Sequence, residues 1–118
     1  MKRLSFNLKC LIASLFCSAA IAQPLQSVQF INQSQQEGVS YFLTGDDGKE
    51  LFFTHVNAGQ TYALPSRYFD RVANKTPAIS LYTNQTGRIV CGKHLITGAI
   101  SIIANMDAGN VALRCVVN

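Results

Sequence analysis

Residues 39–56 read VSYFLTGDDGKELFFTHV, and this stretch decides the fold. Val39, Tyr41 and Leu43 alternate with Ser40 and Thr44, the period of a strand with one face in a core. Asp46-Asp47-Gly48-Lys49 then turns the chain, because Asp and Gly accept the positive φ that a tight hairpin needs. Glu50 to Val56 returns as the partner strand. Tyr41-Phe42 and Phe52-Phe53 are neighbouring aromatics, so in each pair one ring faces inward and the other outward.

Working outward, Val28 to Asn32 reads as an earlier strand. Asn57-Ala58-Gly59 reads as a second hairpin turn, into a short strand from Thr61 to Leu64. The alternation breaks from Pro65 to Lys75, where Ser66-Arg67-Tyr68-Phe69-Asp70-Arg71-Val72-Ala73 reads as one or two turns of helix. Ser66 is the expected N-cap and Asn74 the expected end. Strands resume at Ala78 to Tyr82, Arg88 to Gly92, Ala99 to Ala104 and Val111 to Val117. Short β-branched and aromatic runs punctuated by Gly, Asn, Asp and Pro predict an all-β fold. The expected form is a small antiparallel β-sandwich, immunoglobulin-like or a related Greek key, with one short helical crossing; a small β-barrel is the alternative. The chain holds no Trp, and its later cysteines stand too close together for the antibody pattern.

The N-terminus orders three features as a secretory leader does. Lys2, Arg3 and Lys9 form a basic stretch, Cys10 to Ile21 an apolar run, and Ala20-Ile21-Ala22 a small-residue cleavage site. Cleavage between Ala22 and Gln23 leaves residues 23–118 as one domain. The run is shorter than the ~20 apolar residues that cross a bilayer, so no membrane span is expected in the mature form. The formal charge of +4 also falls, because the mature part sets seven Lys and Arg against six Asp and Glu, a net +1. No basic stripe remains for nucleic acid.

Cys10 and Cys17 leave with the leader, and Cys91 and Cys115 stay. Cys115 shares a strand face with Leu113 and Val117, and Cys91 with Ile89, so both sulfurs point inward and a disulfide follows. Other chemistries are weaker. Cys91, Cys115, His94 and His55 lack the close spacing of a zinc site. A Cys–His nucleophile pair needs a free thiolate, which a disulfide removes. His55 is expected as a partly buried histidine held by a backbone carbonyl, and His94 as a polar turn residue. The acids from Asp46 to Glu50 fit a turn better than a calcium loop, since Lys49 opposes the ion. Asn-x-Ser/Thr triplets at Asn32, Asn74 and Asn84 read as turn and strand-end polar residues, because the leader is of bacterial type.

No metal or cofactor is expected, and no catalytic motif stands out. The expected function is a non-catalytic secreted or periplasmic binding protein, with a protein or carbohydrate partner at the cell envelope or a host surface. Its candidate binding residues are Arg67, Tyr68, Phe69 and Arg71, on a loop carried by a rigid scaffold. The alternative is an inhibitor of a lysozyme or protease acting through Gly92 to Thr97. A small hydrolase using His94 or His55 ranks below both.

Overall fold

A computed structural model describes residues 23–106 and 112–118. The predicted leader at 1–22 and the predicted strand start at Val111 lie outside the described residues. The strands are β1 (Ser27–Asn32), β2 (Val39–Thr44), β3 (Glu50–Val56), β4 (Thr61–Ala63), β5 (Ala78–Thr83), β6 (Gly87–Lys93), β7 (Ala99–Met106) and β8 (Leu113–Val117). Between β4 and β5 come a 3-10 turn, Ser66–Tyr68, and α1 (Phe69–Val72). The strands form two four-stranded sheets, β4-β1-β7-β8 and β3-β2-β5-β6. They pack face to face as a sandwich and do not close into a barrel.

The β2–β3 hairpin forms as its sequence predicts. Gly48 takes a φ of 83°, and Gly45 and Lys49 close the turn with a 2.8 Å backbone bond. Phe42 stands opposite Phe53 and Ser40 opposite His55, with a bulge at Leu43/Thr44. The Asn57-Ala58-Gly59 turn is different. It forms, with Gly59 at φ 73° and Gln60 N donating to Asn57 O, but β4 pairs with β1 and not with β3. The turn is a corner between the sheets, and the expected second hairpin is corrected accordingly. Burial decides this: Phe52 and Tyr62 stack with ring centroids 6.3 Å apart, each beside the core ring of Phe30. The antiparallel expectation has one exception, since β1 runs parallel to β7 from Ser27↔Ala99 to Asn32↔Ala104. These strands are distant in sequence, so no hairpin dictates their direction.

Val28, Phe30 and Ile102 face Val39, Tyr41, Leu43, Ile79 and Leu81 across the core, and all are fully buried. Each large apolar side chain contributes about 1.5–3 kcal/mol on burial. Two polar groups share this interior. The Tyr41 hydroxyl donates to the Ile31 carbonyl, joining the second sheet to the first. Its burial pushes the phenol well above its ordinary value. Asn32, only 1% exposed, ends β1. Its Nδ2 donates to Glu37 O at 2.7 Å and to Val56 O at 2.9 Å. Its Oδ1 accepts from the Ser34 amide at 2.9 Å. The Ser34 hydroxyl, 2.7 Å from both Asn32 Oδ1 and Glu37 O, donates to one of them at a time.

Asn32→Ala leaves the buried Val56 carbonyl without its side-chain donor, while Ser34 can still serve Glu37 O, and lowers the unfolding free energy by about 1–3 kcal/mol, measurable in urea. Tyr41 gives a pH signature. Below about pH 10, where a solvated phenol titrates, its contribution is complete. As pH rises further the unfolded chain loses a proton that the folded chain keeps, so stability falls. Between pH 8 and pH 11 the urea midpoint of the native protein therefore drops more than that of Tyr41→Phe.

Candidate functional site

The crossing begins where Leu64, buried, donates its amide to Val28 O. Pro65 is extended, and the Tyr68 amide closes onto its carbonyl at 2.9 Å. Ser66 therefore starts the 3-10 turn and makes no side-chain cap bond, which corrects the expected N-cap. The tight turn already supplies an acceptor for the Tyr68 amide. Val72 is fully buried and anchors α1. Asn74 ends the crossing in the left-handed region at φ 61°, as expected of an asparagine. Backbone bonds from Asn74 N to Ile96 O and from Ile96 N to Lys75 O then clamp the segment to the chain after β6.

On this support Arg67, Tyr68 and Arg71 come together. The guanidinium carbons lie 4.8 Å and 5.2 Å from the Tyr68 ring centroid. Each such contact contributes about 0.5–1 kcal/mol at an exposed site, enough to offset the mutual repulsion of two cations four residues apart. The Tyr68 ring is itself held by Phe52, 5.7 Å away, and Phe52 by Phe30 at 5.7 Å. A chain of rings thus runs from the core to the exposed arginines. Phe69, partly buried against the core as Tyr68 also is, takes no part in these ring and guanidinium contacts. The single ion pair among the described residues is Lys93 with Asp46 at 3.2 Å, so neither Arg67 nor Arg71 has an acidic partner there.

The remaining candidates resolve into local roles. Cys91 and Cys115 form a disulfide with Cα atoms 5.6 Å apart, tying the edge strand β6 of one sheet to the edge strand β8 of the other. Such a bridge suits an oxidising, extracytoplasmic compartment, and no helix among the described residues is long and apolar enough to cross a membrane. His94 places Nε2 3.2 Å from Cys91 O. His55 is exposed, with Nδ1 2.9 Å from the Ser40 hydroxyl, so the partly buried, carbonyl-held histidine is corrected: its position on β3 faces outward. No group of three metal-ligating side chains exists among the described residues. Asp47 accepts the Lys49 amide at one side of a cleft of about 480 Å³ that also touches Lys75 and Pro77. Gly92 to Thr97 is anchored by Ile96, which is fully buried; Lys93 and Leu95 are its exposed side chains.

The outer face of β3-β2-β5-β6 was not legible as a site. Its signal is the pairing of Phe42 with Phe53 and of Ser40 with His55, which needs the bulge position that composition does not give. The chain matches no protein-family model and has no significant relative among curated proteins.

The bridge closes a loop with a sequence separation of 24, for which loop-closure entropy gives roughly 3 kcal/mol. Reduction, or Cys91→Ser with Cys115→Ser, is expected to lower the urea unfolding free energy by about that amount while the far-UV spectrum keeps its β signature below the transition.

Proposed function

We propose that this is a non-catalytic binding protein of the bacterial periplasm or exterior that recognises an acidic protein surface through Arg67, Tyr68 and Arg71. One observation carries the reading: two exposed guanidiniums rest on a single buttressed ring, with no acid among the described residues to neutralise them. Arginine is suited to such a role because its planar fork pairs with a carboxylate through two parallel hydrogen bonds. Tyr and Arg are also the residue types that dominate binding energy at protein interfaces. Stacking on Tyr68 limits the freedom that each arginine loses on binding, which lowers the entropic cost of association. Export in the oxidised form supplies a scaffold rigid enough to hold the three side chains in place.

The test is charge reversal on the folded, oxidised protein. Immobilised native protein exposed to envelope and culture-fluid proteins is expected to retain a partner that elutes as salt rises. Arg67→Glu with Arg71→Glu weakens that retention at least 30-fold, the scale of a hot spot worth about 2 kcal/mol. Unchanged capture and unchanged salt dependence in the double variant would refute the assignment.

A further inference from the structure

A second surface lies on the outer face of β3-β2-β5-β6, and it is built differently from the crossing. The pairings place His55, Ser40, Tyr82 and Arg88 in one row across the four strands. Phe53, Phe42, Ser80 and Val90 form the row beside it. Phe53, Tyr82 and Val90 are 44%, 40% and 72% exposed, three large apolar side chains open to solvent on one sheet face. Phe42 packs on Phe53 with ring centroids 4.9 Å apart. Arg88 reaches over β5 to set its guanidinium 4.5 Å from the Phe42 ring, and no acid among the described residues pairs with it.

We infer that this face is a binding site for an acidic glycan, with a sugar ring on the exposed Phe53 and its carboxylate on Arg88, which lies over Phe42. The charge pattern selects the ligand. The eight residues of these two rows include one arginine, one histidine and no acid, and the acid of the next row, Glu50, lies on β3 at the far edge of the sheet from Arg88 on β6, so a carboxylate at Arg88 finds a fork donor. An arginine held over a ring keeps donors available for bidentate pairing with a carboxylate. The two rows match the two sides of a sugar: its C–H face lies against exposed rings, and its hydroxyls meet the Tyr82 hydroxyl and the Ser40–His55 pair, which are 2.9 Å apart. A second copy of the chain would bury an apolar core at this face, and Ser80 separates Phe42 from Val90 in the apolar row. A nucleic acid would need several cations along its backbone, and this face offers one arginine.

The experiment is affinity electrophoresis of the native, processed, oxidised protein. It is run through gels containing polygalacturonate or polysialic acid, with methyl-esterified polygalacturonate and dextran as neutral counterparts. Retardation is expected in at least one acidic gel and in neither neutral gel. Phe53→Ala and Arg88→Ala each weaken it at least tenfold. Arg88→Lys, which keeps the charge but loses the fork, weakens it several-fold and stands in should either alanine variant fail to fold. Arg67→Glu with Arg71→Glu, a larger change in net charge, leaves it within twofold, which separates this surface from the crossing and from bulk attraction. The inference is overturned by an absence of retardation in both acidic gels, by equal retardation in a neutral gel, or by unchanged retention in Arg88→Ala. A native dimer in sedimentation that Val90→Lys disperses would also overturn it, by assigning the face to a second copy of the chain.

Discussion

A two-sheet sandwich must keep its layers together along both long seams, and in this protein each seam is closed by a different bond. On one side the chain closes it, passing from β3 to β4 through the Asn57-Ala58-Gly59 corner. On the other, where β6 and β8 are the edge strands, the Cys91–Cys115 bridge joins them directly. Between the seams, Asn32 and Tyr41 bond across the layers to backbone carbonyls. Those bonds fix the position of one sheet on the other, because a sliding motion would strand buried polar groups, each costing about 1–3 kcal/mol. The apolar core supplies most of the attraction, and these groups restrict it to one alignment.

Much of this was legible because alternation carries its own meaning. Val39, Tyr41 and Leu43 are buried and Ser40, Phe42 and Thr44 less so, as a period of two requires. The inward sulfurs followed from the same logic on β6 and β8. What local sequence could not supply was partnership between distant strands. Asn57-Ala58-Gly59 makes the same turn whether it links paired strands or turns a corner, and the burial of Phe52 and Tyr62 beside Phe30 decides between them. The parallel alignment of β1 with β7 has no local signature at all. Ser66 failed as a cap because a 3-10 opening turn redirected the amide it would have served.

The two surfaces differ in legibility for the same reason. Arg67, Tyr68 and Arg71 sit within five residues, so their meeting follows from helical spacing, although the inward turn of Phe69 depends on the core behind it. The outer sheet face assembles residues from Ser40 to Val90, over four strands and two bulges. No window of sequence contains it, and only the register brings Arg88 onto Phe42.

The saturation of Asn32 has a practical consequence. Asn32-Gln33-Ser34 is an acceptor triplet for N-linked glycosylation, yet the amide nitrogen that would carry the sugar already donates to Glu37 and Val56 inside the protein. An oligosaccharide attached during translocation in a eukaryotic host would replace one of the two amide hydrogens, leave one of those carbonyls without its donor and wedge open the end of the sandwich. Yeast or insect-cell production would yield a misfolded, retained product, whereas a bacterial host lacking the transferase spares this side chain.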